Sequence, residues 1–177
     1  MTLHELLALF TSKNIEYTTA HLDAVDQNAQ LTDVASDSRE VTPGSLFVCK
    51  GAHFSPAYLT SAVEAGAVAY LCEQSIATEL QAVAPNVAAI CVDDVRLAMA
   101  YAAAGVAGHP DKKLTTIGIT GTKGKSTCSY MLRTILDGDE PYSKCGVIGG
   151  IEVFDGKDTQ PAHNTTPEAP ELWRHLK

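Results

Sequence analysis

No apolar run in the sequence approaches the roughly 18 residues that a membrane-spanning helix needs. The opening stretch MTLHELLALF carries a His and a Glu and no basic n-region, so it does not read as a secretory signal. There is no CxxC pair and no His or Cys at short spacing, which leaves no zinc-type ligand set. Basic residues are scarce. Lys plus Arg number 13 against 21 Asp plus Glu, a net charge of -8 that argues against a broad nucleic-acid surface. Neither an internal repeat nor a low-complexity tract is visible. What remains is ordinary globular chemistry, 45% apolar and 19% charged over 177 residues, enough for one domain or two small ones. The five cysteines are Cys49, Cys72, Cys91, Cys128 and Cys145. Their number is odd, and three lie inside the apolar runs LFVCK, AVAYLC and AAICV. They read as reduced, buried thiols of a cytoplasmic protein.

The charge is unevenly spread. Residues 1–110 hold 4 basic and 12 acidic side chains, whereas 111–177 hold 9 of each. The composition shifts near GHPDKKL (108–114), which reads as a linker. The expected organisation is a first domain over 1–108, a linker over 109–113 and a second domain over 114–177.

Leu3, Leu6, Leu7 and Phe10 fall at helical spacing, which predicts an amphipathic helix over 2–13. SLFVCK (45–50) is a short β-rich run bounded by Pro43-Gly44 and Gly51, and reads as a strand. Residues 56–65 read as a helix ending at Gly66, and 67–72 as a second strand. A helix over 74–83 and a strand over 87–92 follow. Asp93 or Asp94 is then placed to cap a helix running to about 107. Strand–helix alternation with short links implies an α/β fold.

The second domain opens with TTIGIT (115–120), read as a strand, then GTKGKST (121–127), then a helical pattern to Leu136. Strand, Gly-rich turn and helix is the context of a phosphate-binding loop. Gly121 and Gly124 permit backbone angles that a Cβ forbids, so successive N–H groups can turn toward phosphate oxygens. The helix N-terminus adds its dipole and free amides. Lys125 can reach β- and γ-phosphates, and the Ser126 hydroxyl, or Thr127 in a shifted register, can ligate Mg²⁺. Lys123 is a second cation, for phosphate or for solvent. The strict pattern asks for Gly where Ile119 stands, so only the shorter GxxGK[ST] is met.

The GTKGKST loop resembles that of the Mur ligases and of folylpolyglutamate synthetase. Further segments resemble the MurE type of that family: SDSREVTPGSLFVCKGAHF (36–54), EAGAVAYL (64–71) and HNTTPEAPEL (163–172). The resemblance covers nearly the whole chain from about residue 31. It implies a small N-terminal α/β UDP-binding domain, followed by the start of a P-loop, Rossmann-like central ATPase domain. It also implies an ATP-dependent ligase that adds a third amino acid, L-lysine or meso-diaminopimelate, to UDP-N-acetylmuramoyl-L-Ala-D-Glu in peptidoglycan synthesis. A carboxylate is a poor electrophile, and phosphoryl transfer turns it into an acyl phosphate that an amine can attack.

Carried over position by position, the resemblance assigns Gly121, Thr122, Lys123, Gly124, Lys125, Ser126 and Thr127 to ATP, with Lys125 catalytic and Ser126 on Mg²⁺. It puts Ser38, with Ser36 nearby, and Ala52, His53 and Phe54 at the uridine nucleotide. Where the family's loop has a DG pair, this chain runs HFSPAYL. Asn164, Thr165 and Thr166 would bind the muramoyl peptide or its pyrophosphate, and Thr165 or Thr166 before Pro167 would also make a helix N-cap. Asp37 and Arg39 read as a local ion pair or turn. The implied partners are the UDP-muramoyl dipeptide and a free amino acid.

Residues 114–177 are few for a doubly wound domain built from βαβ units of about 30 residues. The reading finds no later strand ending in an acidic residue for Mg²⁺ and no third domain. The resemblance therefore implies an N-terminal fragment, inactive as a ligase alone. Two alternatives stay open: a non-catalytic UDP-precursor binding module, and a different P-loop NTPase or kinase.

Overall fold

Thr2 and Glu5 start the first helix, α1 (Leu3–Ser12), by a reciprocal capping box. The Thr2 hydroxyl accepts from the Glu5 N–H at 3.1 Å and the Glu5 carboxylate accepts from the Thr2 N–H at 2.8 Å. Leu3, Leu6, Leu7 and Phe10 form its buried face, as their spacing predicts. The computed structural model describes residues 1–138, 145–162 and 164–177. The chain divides into two units, Met1–His109 and Pro110–Lys177.

In the first unit the elements after α1 are β1 (Tyr17–Ala20), β2 (Val34–Ala35), β3 (Leu46–Val48), α2 (Pro56–Glu64), β4 (Ala69–Glu73), α3 (Ala77–Val83), β5 (Ala88–Val92) and α4 (Val95–Val106). The sheet order is β1-β5-β4-β3-β2. Strands β2 to β5 run parallel and β1 lies antiparallel on the edge beside β5. Strands β3 and β5 are buried at every residue and β4 at all but its last, Glu73. Near-continuous apolar runs are what a parallel sheet covered on both faces requires. Phe47, Cys49, Tyr70, Cys72, Ala89 and Cys91 pack with Leu59 and Ala62 of α2 and with Leu80 of α3. Alternation along the strands turns Leu46, Val48, Leu71 and Ile90 to the opposite face. Helix α4 contacts β2, β4 and β5, and α1 packs on α4.

Asp94, not Asp93, caps α4, accepting from the Arg96 and Leu97 N–H groups at 3.0 and 2.9 Å. Gly66 follows α2 at φ +103°, where a Cβ would stand 2.9 Å from Pro43 Cα. The Gly66 carbonyl accepts from the Gly44 N–H at 2.9 Å. This one contact joins the Pro43-Gly44 turn before β3 to the end of α2. No sequence signal marked β1 and β2. β1 is a four-residue edge strand with exposed Thr18 and Thr19, and its pairing to β5 defines it more than any hydrophobic pattern.

The second unit contains α5 (Lys125–Asp137), β6 (Val147–Ile148), β7 (Glu152–Phe154), β8 (Thr159–Pro161) and α6 (Ala169–Leu176). It departs from expectation in three places. Residues 115–120 form no ladder with any described strand, and Ile117 is 56% exposed. A strand of a parallel sheet exists only as one side of a pair, so the apolar run alone does not make it one. The three strands present form instead an antiparallel meander, β6-β7-β8. They went unread because each is two or three residues long and broken by Gly149-Gly150 or Gly156.

Asp155 follows the last residue of β7, Phe154. Its carboxylate accepts from the Lys157 and Asp158 N–H groups, both at 2.8 Å, and so closes the β7–β8 turn. Finally, α6 is capped at Glu168 without a side-chain hydrogen bond, and Pro170 stands in its first turn. Thr165 and Thr166 are therefore not its N-cap. Arg133 ties α5 to the meander, its guanidinium 3.7 Å from the Phe154 ring centroid and its Nε donating to Asp137 at 3.3 Å. No helix among the described residues is long and apolar enough to cross a membrane.

Candidate functional site

Each unit carries candidate residues of its own. In the first, the parallel pairing of β2 with β3 brings two loops to the same sheet edge. Ser36, Asp37 and Ser38 follow the C-terminal end of β2. Lys50, Gly51, Ala52, His53 and Phe54 follow that of β3. The carboxyl ends of parallel strands are where open α/β sheets bind ligands. The 3-10 turn over Ser38–Glu40 packs against α2, so both loops share that helix. Ser36 and Ser38 are half-buried, Phe54 likewise, and Ala52 and His53 are exposed.

The Asp37–Arg39 pair shapes the first of these loops. The Asp37 carboxylate accepts from the Arg39 N–H at 2.9 Å, holding the 3-10 turn, and from Arg39 Nε at 2.9 and 3.1 Å. These bonds, the side-chain ones first, pull the Asp37 carboxyl down to about 2. A depressed carboxylate contributes stability above its unfolded value and loses it as pH falls through the folded one. Arg39 is 87% and Asp37 36% exposed at the side chain, so solvent screens the pair. Asp37→Asn is therefore expected to destabilise by less than about 1 kcal/mol at pH 7. That difference should fade between pH 3.8 and about 2. Urea unfolding of both proteins across this range checks it, and a pH-independent difference would contradict the account.

Two side chains that the sequence did not single out as ligand contacts join this edge. Tyr58, 49% exposed on α2, meets Phe54 edge to face at 6.4 Å between centroids. Lys50 leads out of β3 beside Gly51. The aromatic spacing F-x-x-x-Y is the signal that could have marked Tyr58.

In the second unit, α5 begins directly from the glycine loop. Gly121 stands at φ +154° and Gly124, the N-cap residue, at φ +81°. No side chain caps this helix, so its first-turn amides keep their donors for another acceptor. Lys125 Nζ donates to the Gly121 carbonyl at 2.6 Å. The ammonium thus lies back across the loop whose backbone it would serve. Lys125 and Ser126 are half-buried. Gly121, Thr122, Lys123, Gly124 and Thr127 are exposed. Among the described residues no cluster of His, Cys, Asp or Glu could hold a metal ion.

Asn164, Thr165 and Thr166 are all exposed. His163, the first residue of that motif, lies outside the described residues. Gly150, which the sequence reading passed over, packs against this segment. A Cβ there would stand 3.2 Å from Thr165 Oγ1 and 3.5 Å from Thr165 Cα. The Gly149-Gly150 pair was the available signal.

No family model matches the chain. Among curated proteins, the chain is 36% identical over 151 residues to the UDP-N-acetylmuramoyl-L-alanyl-D-glutamate–2,6-diaminopimelate ligase of Clostridioides difficile strain 630, covering 84% of this chain and 30% of that protein. It is 37% identical over 155 residues to the UDP-N-acetylmuramyl-tripeptide synthetase of Latilactobacillus sakei strain 23K, covering 86% and 29%. The chain thus spans about 30% of the length of these relatives. Either match is longer than each of the two units and so enters both. A solved structure of a UDP-N-acetylmuramoyl-L-alanyl-D-glutamate–2,6-diaminopimelate ligase superimposes with a TM-score of 0.58 at 20% identity, over 89% of this chain and 32% of that one. That likeness carries the fold. Over the matched residues, the chain is similar to the MurE-type Mur ligases.

Proposed function

We propose that this chain supplies the UDP-precursor unit and the phosphate loop of an ATP-dependent amide ligase. The ligase would extend UDP-N-acetylmuramoyl-L-Ala-D-Glu by one amino acid. The observation that carries the reading is the uncapped N-terminus of α5, opened by Gly121 and Gly124 at positive φ with the Lys125 ammonium folded onto the loop.

ATP is a substrate of this reaction. The chain's own part is electrostatic and positional. First-turn amides of α5 donate to phosphate oxygens, and Lys125 exchanges its Gly121 carbonyl for a phosphate, placing a cation where negative charge gathers. Ser126, half-buried in the first turn of α5, is the hydroxyl that fits Mg²⁺. That ion takes most of its oxygens from phosphate and water, and would supply further positive charge at the phosphates when bound. In the first unit, Ser36, Ser38, Ala52, His53 and Phe54 hold the uridine nucleotide between the two loops that share α2. Asn164, Thr165 and Thr166 meet the muramoyl peptide or its pyrophosphate. One relative is named for the diaminopimelate it joins and the other only for its tripeptide product, so the incoming amino acid is left as L-lysine or meso-diaminopimelate.

A second reading has an observation in its favour. Residues 115–120 have no ladder beside them among the described residues, whereas the sheet of the first unit pairs five strands. A module that binds the UDP precursor without using ATP would need only that first unit. Titration of the 177-residue chain with Mg-ATP, beside its Lys125→Ala variant, separates the two. Saturable binding that the variant loses supports the ligase reading. Binding of the UDP precursor with none of Mg-ATP supports the module.

A further inference from the structure

The sheet of the first unit carries a group of thiols that the proposed function does not use. β4 and β5 pair in parallel with Cys72 directly opposite Cys91. Both side chains are fully buried, and the Cys72 thiol donates to Cys91 Sγ at 3.7 Å. All five cysteines are free. Neighbouring strands lie about 4.8 Å apart, inside the Cα separations of roughly 4.4–6.8 Å that a disulfide accepts. The register thus meets the Cα requirement of a bridge.

The two sulfurs are not equivalent. Cys91 accepts from the Cys72 thiol and from Gln81 Nε2, the latter at 3.8 Å, and these bonds favour a thiolate at Cys91 against the desolvation that opposes it. Desolvation pushes Cys49, the third thiol of this face, upward, which keeps it protonated and unreactive. Gln81, which donates to Cys91, is half-buried on α3. The Tyr70 hydroxyl, packed in the same cluster, has no hydrogen-bond partner. A buried orphan hydroxyl is costly.

We propose that Cys72 and Cys91 are a redox-modification site that forms a reversible disulfide between β4 and β5 with a small peroxide as oxidant. The Cys91 thiolate attacks one peroxide oxygen. The O–O bond breaks, water or an alcohol leaves with a proton, and Cys91 becomes a sulfenic acid. The Cys72 sulfur then attacks the Cys91 sulfur. The S–O bond breaks, and the hydroxyl leaves as water with the Cys72 proton. Two thiols are oxidised and one peroxide is reduced.

The test uses the full chain with its two accessible thiols removed, Cys128→Ser/Cys145→Ser, under hydrogen peroxide. The protein should become two hydrogen atoms lighter and retain one titratable thiol of three. Peptide mapping should join Cys72 to Cys91, and dithiothreitol should reverse all of it. The unsubstituted chain should yield the same cross-linked peptide, and a further Cys91→Ser change should abolish it. Three results would overturn the proposal. One is persistence of all three thiols at peroxide levels that oxidise Cys128 in the unsubstituted chain. Another is addition of oxygen without loss of hydrogen. The third is a bridge that joins Cys49 or forms only after denaturation in urea.

Discussion

Lys125→Ala is expected to lower the affinity of the chain for Mg-ATP by tenfold or more. The ammonium lies across the glycine loop, 2.6 Å from the Gly121 carbonyl. A hydrogen bond to a charged group contributes about 1.5–3 kcal/mol, and each 1.4 kcal/mol is about a factor of ten in a binding constant. Lys123 is fully on the exposed side of the loop, so Lys123→Ala should cost clearly less. Lys125→Arg should not restore affinity, because a planar fork does not replace a compact ammonium in a loop closed this tightly. Competition against a fluorescent ATP analogue measures all three. Equal losses at 123 and 125 would reduce the loop to a patch of positive charge. The wild-type affinity itself should be weak, because residues 115–120, which enter the loop, pair with no strand among the described residues.

Gly66→Ala should destabilise the first unit by about 2–5 kcal/mol, the sum of a left-handed backbone penalty and an overpacking cost. At φ +103° an L-residue is strained before any contact is counted. The added methyl would then meet Pro43 Cα at 2.9 Å, and Pro43 is ring-locked and backbone-bound, with no rotamer to yield. Gly51→Ala is the control. It also stands at positive φ, +99°, but a Cβ there meets nothing within 4 Å, so only the backbone penalty of about 1–2 kcal/mol should appear. Urea unfolding followed by far-UV circular dichroism reads both. Equal costs at 66 and 51 would show that the contact with Pro43 carries no weight.

Gly66 also shows where sequence reasoning stops. Its role as the residue after a helix was legible, because an apolar-periodic segment ends in Gly. Its approach to Pro43 was not, since 23 residues separate them and only the folded chain brings them together. The same division runs through the fold. α1, α2, α4, β3, β4 and β5 were readable because each has a periodic or continuous apolar signature and a local cap such as Asp94. β1, β2 and the β6–β8 meander were not, because they are short, partly polar strands defined by their neighbours. The error at 115–120 has the opposite cause. The residues have strand propensity, but pairing decides, and propensity is a weak prior against it.

In the candidate site, the order of Gly121, Gly124 and Lys125 announced a turn into a helix, and the backbone angles and the start of α5 agree. That Lys125 bends back to Gly121, that Tyr58 stands by Phe54 and that Gly150 supports Thr165 depend on packing that no local pattern encodes.

The central claim is that the chain recognises a UDP-linked muramoyl peptide, and one titration tests it most directly. UDP-N-acetylmuramoyl-L-Ala-D-Glu is added to the isotopically labelled 177-residue chain and followed by amide chemical shifts, with UDP alone and an unrelated nucleotide in parallel. The account predicts saturable binding, with the largest shifts at 36–38 and 51–54, beyond the carboxyl ends of β2 and β3. It also predicts tighter binding of the muramoyl dipeptide than of UDP. No binding, or shifts confined to 121–127 that any nucleotide reproduces, would contradict it.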